Sequence, residues 1–315
     1  VLASAFDSAG QRCSALRVLC LQEEAADRTL EMLEGALAEL RVGRSDELAT
    51  DVGPVIDEEA RGSIECHIEA MRAKGRRVIR AEGRGSERPA RGTFVAPALI
   101  EIANLADIGR EVFGPVLHVR RYRRADLDAL VDEINATGYA LTLGLHTRID
   151  ETLARVSGSA NAGNVYVNRN MVGAVVGVQP FGGEGLSGTG PKAGGPLYLL
   201  RLLSEWPDDS LARATGLRIG SHVADGTFPA DASGTLGSLA AWARTRPGPL
   251  VGVCARMAAL APSREPIVLP GPTGERNTWR AVPRRRVLCL AGSDDDRLVQ
   301  LSAVLAVGGQ ALWPD

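Results

Sequence analysis

The feature that most constrains the fold is a regular alternation of strand-like and helix-like segments up to residue 170. The apolar run SALRVLCLQ has the length of a strand, and AADRTLEMLEGALAELRVG follows it with leucines at helical spacing: Leu30, Leu33, Leu37 and Leu40. Similar segments recur in DVGPVIDEEARGSIECHIEAMRAKG, PVLHVRRY, ADLDALVDEINATG, YALTLGLHT and NVYVN. This alternation predicts an α/β domain in which helices flank a mostly parallel sheet.

A glycine- and proline-rich loop, residues 171–196, ends this alternation, and the composition changes again at Pro207. After a loop-rich segment at 208–234, TLGSLAAWART, RRRVLCLAGS and DDRLVQLSAVLAVGG indicate a smaller α/β domain. We therefore expect one domain over 1–207 and another over 208–315. The chain opens without an initiator methionine and stops abruptly at QALWPD, so we expect a piece of a longer polypeptide with a truncated second domain.

Charge and cysteine content argue against several classes of protein. The formal net charge is −2 over 315 residues, so bulk charge indicates neither a nucleic-acid partner nor a membrane partner. There is no signal peptide and no apolar run of about 18 residues. Five cysteines without a CxxC motif or disulfide-like spacing predict reduced thiols in a cytoplasmic protein; they are Cys13, Cys20, Cys66, Cys254 and Cys289.

Cys13 lies in FDSAGQRCSALRVL, between Gly10 and two small residues. A thiolate acts as a nucleophile where it is partly exposed and near positive partial charge, and Ser14 and Ala15 would leave room for a substrate carbon. Free cysteines are also commonly buried structural residues, and Cys20 within RVLCL fits that alternative. Local composition leaves both interpretations of Cys13 open.

Glu111 begins the segment EVFGPV, in which a glycine and a proline enforce a turn before the next strand. A carboxylate at this place could accept the ribose hydroxyls of a nucleotide. Taken in isolation, the segment favours the alternative, an exposed acid in front of a turn.

The loop GAVVGVQPFGGEGLSGTG offers the backbone N–H groups of Gly173 and Ala174 to a carboxylate, and Phe181 as an apolar wall. It also contains a formal GxGxxG match at positions 183, 185 and 188. We reject the dinucleotide interpretation, because the prolines and glycines at 191–196 forbid the helix that such a motif must open.

We expect no metal site. His67 lies beside Cys66 in a predicted helix, where adjacent side chains diverge, and no second pair of ligands accompanies them. The basic run RRYRR, residues 120–124, predicts a solvated edge and does not indicate a nucleic-acid surface.

Taken together, FDSAGQRCSA, EVFGPV, NVYVNRN and QPFGGEGLSGTG resemble the aldehyde dehydrogenase superfamily in order and spacing, over residues 1 to about 207. The stretch GAVVGVQPFGGEGLSGTGPKAGGPLYLLRL resembles the glutamate-semialdehyde (1-pyrroline-5-carboxylate) dehydrogenase branch. The tail, from LPGPTGERNTW to LSAVLAVGGQALWPD, resembles the C-terminal region of bacterial proline utilisation A proteins. The implied fold is an aldehyde dehydrogenase catalytic domain followed by a smaller α/β domain.

This resemblance implies a reaction. Cys13 would attack the aldehyde of glutamate semialdehyde, with its own N–H as one donor to the alkoxide. NAD would then accept the hydride, and water would release glutamate from the thioester. Glu111 would hold the nicotinamide ribose, and Phe113 would pack against the nicotinamide side of the cofactor.

The resemblance also implies a substrate site. Ser14, Gly173 and Ala174 would bind the substrate carboxylate, and Phe181 would pack on its methylenes. Several N–H or O–H donors to one carboxylate would distinguish glutamate semialdehyde from a plain aliphatic aldehyde, at roughly 1.5–3 kcal/mol for each charged hydrogen bond.

The implied partners are a second copy of the chain and a proline dehydrogenase domain in the same polypeptide, where alone FAD would bind. Oligomers would form through a strand or flap near residues 180–200. The tail would cover the active-site region, aid a substrate channel or assist assembly, without catalysis of its own. The family's Rossmann domain, oxyanion-hole Asn and general-base Glu all precede the nucleophile and are absent from this sequence, so we do not expect the isolated chain to bind NAD properly or turn over.

Two alternatives stay open at this point. The chain could be a non-catalytic interaction or oligomerisation fragment, or it could belong to an aldehyde dehydrogenase of other specificity. The choice between NAD and NADP and a membrane association of the parent protein also stay open.

Overall fold

The computed structural model describes residues 1–81, 91–207, 210, 234–261, 266–284 and 286–314. The chain divides into two compact units: the first comprises Val1–Val175 and Pro180–Ala193, and the second comprises Val176–Gln179 and Gly194–Asp315. The domain boundary expected near Pro207 stays a prediction. Most of the loop-rich segment at 208–234 lies outside the described residues.

A four-stranded sheet forms the centre of the first unit. Its strands are β1 (Val18–Gln22), β2 (Val78–Arg80), β3 (Ala98–Ile102) and β4 (Val116–Tyr122). They lie in the order β1-β4-β3-β2, with β4 parallel to both β1 and β3 and with β2 antiparallel to β3 at the edge. Leu99, Ile100 and Leu117 are fully buried, as expected of apolar strands in a sheet covered by helices. The predicted α/β class is confirmed.

Three helices pack with this sheet: α1 (Leu2–Phe6), α2 (Glu23–Glu39) and α3 (Glu58–Ala73). The predicted stripe on α2 is buried at Leu30, Leu33 and Leu37, because these side chains share one face of the helix. α3 begins after Asp57, whose carboxylate accepts a hydrogen bond of 2.8 Å from the N–H of Ala60 and so caps the helix.

The remainder of the first unit contains α4 (Leu127–Ala136), β5 (Tyr139–Ala140), β6 (Thr142–Leu145), α5 (Asp150–Ser159), β7 (Asn164–Val167) and β8 (Glu184–Gly185). β6 runs parallel to β7, and β5 is antiparallel to β8. We predicted a single strand over YALTLGLHT. The structure divides it between β5 and β6, because the two halves pair with different partners.

A chain of ion pairs links α2 to the sheet. Glu101 on β3 accepts hydrogen bonds from Arg77 at 2.7 Å and from Arg121 at 2.9 Å. These two arginines also bind Glu34 and Asp27, each at 2.6 Å. The basic run at 120–124, predicted as a solvated edge, therefore includes an arginine of β4 that is paired twice within the fold.

The second unit contains smaller elements. They are α6 (Thr235–Ala243), α7 (Leu250–Leu260), β9 (Ile267–Leu269), β10 (Asn277–Trp279), β11 (Arg286–Leu288), α8 (Asp294–Ala306) and β12 (Gln310–Leu312). β9 and β10 are antiparallel, whereas β11 and β12 are parallel and connected through α8. The smaller α/β arrangement expected of the tail is confirmed. Across the described ranges, the helices are too short or too polar to span a membrane.

Candidate active site

Cys13 follows a turn of left-handed backbone. Ser8, Ala9 and Gly10 have φ angles of 55°, 54° and 65°. Residues with a side chain adopt this region only under strain, so the chain is held in an unfavourable conformation just before the cysteine. The Cys13 side chain is exposed. The alternative that Cys13 is a buried filler is therefore wrong.

Gly10 brings the Cys13 loop against the segment EVFGPV, and Gly114 brings that segment against α3. A Cβ atom on Gly10 would lie 2.2 Å from the carbonyl oxygen of Gly114, and a Cβ on Gly114 would lie 2.3 Å from Cδ1 of Ile64 on α3. A side chain at either position would displace its neighbour. The two motifs thus lie in direct backbone contact although about a hundred residues separate them in sequence.

Arg17 joins the same two segments through its side chain. Its Nη1 donates to the carbonyl oxygen of Gly10 at 2.5 Å, and its Nη2 donates to that of Arg12 at 3.0 Å. Its Nε donates to Oε1 of Glu111 at 3.1 Å, and its guanidinium carbon lies 4.4 Å from the centre of the Phe113 ring. Burial lowers the pKa of Arg17, while the hydrogen bond that Arg17 donates to Glu111 and the charges of Glu111 and Cys13 oppose this shift.

Glu111 and Phe113 keep one side toward solvent. The Glu111 side chain is 35% exposed. Among the described residues, no group donates a hydrogen bond to its second oxygen, Oε2. The Phe113 residue is 43% exposed, with one ring contact made by Arg17. Glu111 can therefore accept a further hydrogen bond from a ligand, and Phe113 can pack against one.

The residues predicted to hold a carboxylate fall into two groups. Ser14 is buried directly after Cys13, so it does not leave the open space that its small size suggested. Gly173 has a φ of +83°, which favours glycine, and no atom lies within 4 Å of a Cβ built on it. Within the described ranges, the N–H groups of Gly173 and Ala174 donate to no protein acceptor and can therefore bind an anion.

Strand β7 orders the residues around Phe181. Asn164 is buried, and its side chain donates to the carbonyl oxygen of Pro180 at 2.9 Å and accepts from the N–H of Gly182 at 3.2 Å. These two bonds flank Phe181, whose backbone also pairs with Ala193 at 2.9 and 3.0 Å. The backbone of Phe181 is thus fixed from both sides.

Tyr166 lies two residues after Asn164 and is buried on the same face of β7. Burial raises the pKa of Tyr166, and a negative charge on Cys13 adds to this increase. The Arg169 guanidinium lies 5.4 Å from the Tyr166 ring and acts in the opposite direction. One face of β7 therefore bears both the residue that orders the Phe181 loop and a phenol within electrostatic reach of Cys13.

The remaining cysteines differ from Cys13. Cys20 lies in β1, where burial raises its pKa to about 12, so the expected structural role of this thiol is confirmed. Cys254 and Cys289 are buried in the second unit, and Cys66 is exposed on α3. Exposure alone therefore does not distinguish Cys13, because Cys66 shares it.

His67 has a partner that the sequence did not predict. Its Nε2 lies 2.9 Å from Nε2 of His118 on β4, and Nδ1 of His118 lies 3.2 Å from the carbonyl oxygen of Arg17. A carbonyl only accepts, so Nδ1 of His118 carries the proton and its Nε2 accepts from His67. In the part of the chain described, no group of three His, Cys, Asp or Glu residues could hold a metal ion.

The GxGxxG match does not form a nucleotide-binding turn. After Gly183 the chain enters β8 (Glu184–Gly185), which pairs with β5, and then turns. A dinucleotide motif requires a helix at this place. The rejection of this motif is confirmed.

Comparison with known proteins identifies the family. A profile of the aldehyde dehydrogenase family matches residues 1–205. The chain belongs to the aldehyde dehydrogenase family. It is 60% identical over 318 residues to the "Bifunctional protein PutA" of Escherichia coli strain K12, and this match covers 100% of the chain and 24% of that protein.

The chain is also similar to a shorter dehydrogenase and to a solved structure. The chain is 37% identical over 202 residues to the "1-pyrroline-5-carboxylate dehydrogenase" of Geobacillus kaustophilus, which covers 64% of the chain and 38% of that protein. A crystal structure of a Bradyrhizobium japonicum proline utilization A mutant matches with a TM-score of 0.59 and 53% identity, over 64% of the chain and 20% of that structure. The chain thus spans about a quarter of the length of the PutA proteins that it matches.

Sequence reasoning missed Arg17, His118 and Asn164. Each is a polar residue inside or beside a short apolar run, and each acts on a segment distant in sequence. Arg17 and Glu111, for example, are 94 positions apart. Of the three, only Arg17 could have been found from the sequence. It lies four residues after a candidate nucleophile, which is close enough to contact the same loop.

Proposed function

We propose that this aldehyde dehydrogenase chain supplies the nucleophile and the substrate-binding residues for NAD-dependent oxidation of glutamate γ-semialdehyde to glutamate in proline catabolism. The observation that carries the proposal is the arrangement around Cys13. An exposed thiol follows a strained turn in which Gly10 lies against the backbone of Gly114, and Arg17 ties the same loop to Glu111 and Phe113.

Cys13 is the nucleophile. Its thiolate attacks the aldehyde carbon and forms a thiohemiacetal, whose alkoxide accepts a hydrogen bond from the backbone N–H of Cys13. The strained backbone before Cys13 supports this role, because strain of this kind is concentrated at active sites.

The carboxylate of the substrate binds to Ser14 and to the free N–H groups of Gly173 and Ala174, while Phe181 packs on the methylenes. Each hydrogen bond to the carboxylate contributes roughly 1.5–3 kcal/mol. Two of them give a preference of more than tenfold for the semialdehyde over an uncharged aliphatic aldehyde. The fixed backbone of Phe181 supports this assignment, since an ordered wall loses little entropy when the substrate binds.

The described residues fit the nicotinamide end of NAD. Oε2 of Glu111 is available to the ribose hydroxyls, and the exposed side of Phe113 is available to the nicotinamide side of the cofactor. NAD, when bound, supplies the hydride acceptor for the oxidation. Glu111 and Phe113 orient this end of the cofactor relative to Cys13, and Arg17 fixes the carboxylate that does so.

The proposed partners are a second copy of the chain and a proline dehydrogenase domain in the same polypeptide, with FAD bound in that domain. The similarity to proteins named bifunctional supports the second partner. The first rests on the resemblance to the family alone.

The decisive experiment compares two exposed cysteines in the full-length protein that contains this chain. Cys13→Ser should abolish NAD reduction with 1-pyrroline-5-carboxylate, whereas Cys66→Ser should leave it unchanged. Mass spectrometry should also show faster iodoacetamide labelling of Cys13 than of Cys66. Activity retained in Cys13→Ser would refute the proposal and favour a non-catalytic fragment.

A second experiment tests the substrate assignment. Ala174→Asp places a negative charge beside the N–H groups assigned to the substrate carboxylate, so KM for the semialdehyde should increase at least tenfold. KM for propanal, which carries no carboxylate, should stay the same and serves as the control. Equal changes for both aldehydes would show that the anchor lies elsewhere.

A further inference from the structure

Arg17 uses each of its three nitrogens on a different acceptor. Two of these acceptors, the carbonyl oxygens of Gly10 and Arg12, belong to the segment that leads into Cys13. The third is the carboxylate of Glu111. One side chain thus ties the nucleophile's loop to the carboxylate assigned to the cofactor.

The other end of Arg17 is also fixed. Its carbonyl oxygen accepts two hydrogen bonds from His118, one from the backbone N–H at 3.0 Å and one from Nδ1 at 3.2 Å. His118 is fully buried on β4, beside Val18 of β1 in the sheet register. Arg17 therefore extends from the rigid centre of the sheet and does not move as a loop residue would.

The geometry suits a guanidinium and does not suit an ammonium. The Arg17 side chain is only 17% exposed, so each of its N–H groups needs an acceptor within the protein. A planar fork reaches three acceptors in different directions and stacks on Phe113, whereas the single nitrogen of lysine cannot. Charge alone would not reproduce these contacts.

We infer that Arg17 is a positioning residue: it holds the Cys13 loop and the Glu111 carboxylate in a fixed position relative to each other. It holds one Glu111 oxygen and leaves the other for the ligand, and it fixes the two carbonyls that precede the thiol. The inference rests on the proposed function in so far as Glu111 binds the cofactor. The part that concerns Cys13 does not depend on any cofactor.

The test uses the full-length protein with Arg17→Lys, Arg17→Ala, Glu111→Gln and the double variant Arg17→Ala/Glu111→Gln. Arg61→Gln is the matched control, since Arg61 forms an exposed ion pair with Glu58 on α3. Two quantities are measured for each variant: KM for NAD and the rate constant of Cys13 alkylation by iodoacetamide without NAD.

Arg17→Lys and Arg17→Ala should each raise KM for NAD about tenfold or more, and change the alkylation rate of Cys13 at least threefold, because a small misplacement of a reacting group is costly. The double variant should raise KM no further than Glu111→Gln alone, since both changes act on the same contact between Arg17 and Glu111. Guanidinium added to Arg17→Ala should restore part of the alkylation rate. Arg61→Gln should change neither quantity.

A lysine variant that matches the wild type in both quantities would overturn the inference, because charge would then suffice. Multiplying effects in the double variant would also overturn it, because Arg17 would then not act through Glu111. If the wild type does not reduce NAD with the semialdehyde, the proposed function fails. The alkylation rates still decide whether Arg17 positions Cys13.

Discussion

Replacement of Gly10 by alanine tests whether contact between two backbones holds the site together. The added Cβ would lie 2.2 Å from the carbonyl oxygen of Gly114 and 2.9 Å from that of Ala5. Both neighbours are main-chain atoms, which cannot rotate away as a side chain can. One of the two segments must therefore move.

Two contributions to the destabilisation add. A residue with a side chain at a φ of +65° costs about 1–2 kcal/mol, and forcing a methyl group into a packed region costs about 1–3 kcal/mol more. We expect Gly10→Ala to lower the free energy of unfolding of the first unit by about 2–5 kcal/mol. Gly75→Ala is the matched control: its φ is +73° and no atom lies within 4 Å of the new Cβ, so only the first contribution applies.

The assay must report on the first unit. All four tryptophans, Trp206, Trp242, Trp279 and Trp313, belong to the second unit, so their fluorescence is unsuitable. Amide hydrogen exchange of the peptide that covers β4 gives the free energy of opening directly. Equal losses in Gly10→Ala and Gly75→Ala would refute the reasoning, because the close approach to Gly114 would then contribute nothing.

Three further predictions concern polar side chains of the first unit. Burial lowers the pKa of His118 from 6.5 to about 4, so the free energy of unfolding should fall by up to about 3 kcal/mol between pH 6.5 and pH 4. In urea titrations, the free energy of unfolding of His118→Gln should depend less on pH over this range. An unchanged pH dependence would show that His118 is not its source. Glu101→Gln leaves two arginines without their shared carboxylate and should cost about 1–2 kcal/mol, whereas Asp46→Asn in an exposed pair should cost less in the same titration. Asn164→Ala should cost about 1–3 kcal/mol and speed proteolysis near Phe181, because two half-buried backbone groups lose their partner; unchanged proteolysis would show that the loop is held by other contacts.

Periodicity decided most of what the sequence could predict about the fold. The leucine stripe of α2 and the apolar run of β4 each have one arrangement that buries them, so their elements followed directly. The division of YALTLGLHT did not follow. It depends on pairing with Glu184–Gly185, a segment without any apolar pattern.

The site was predictable only in part. Cys13 and Cys20 lie only seven residues apart, yet one is exposed and the pKa of the other is raised to about 12. What separates them is the left-handed turn before Cys13, which local composition does not reveal. The pair of His67 and His118 spans 51 positions, so its existence depends on how α3 packs on the sheet.

The contact between Gly10 and Gly114 has a consequence for protein engineering. Since a side chain at Gly10 would meet the backbone of Gly114, the two motifs must be exchanged together even though about a hundred residues intervene. Chimaeras between this chain and its relatives should therefore retain function when the exchange points fall after residue 114. An exchange point between Gly10 and Gly114 should be tolerated only where the relative has the same backbone conformation in both loops.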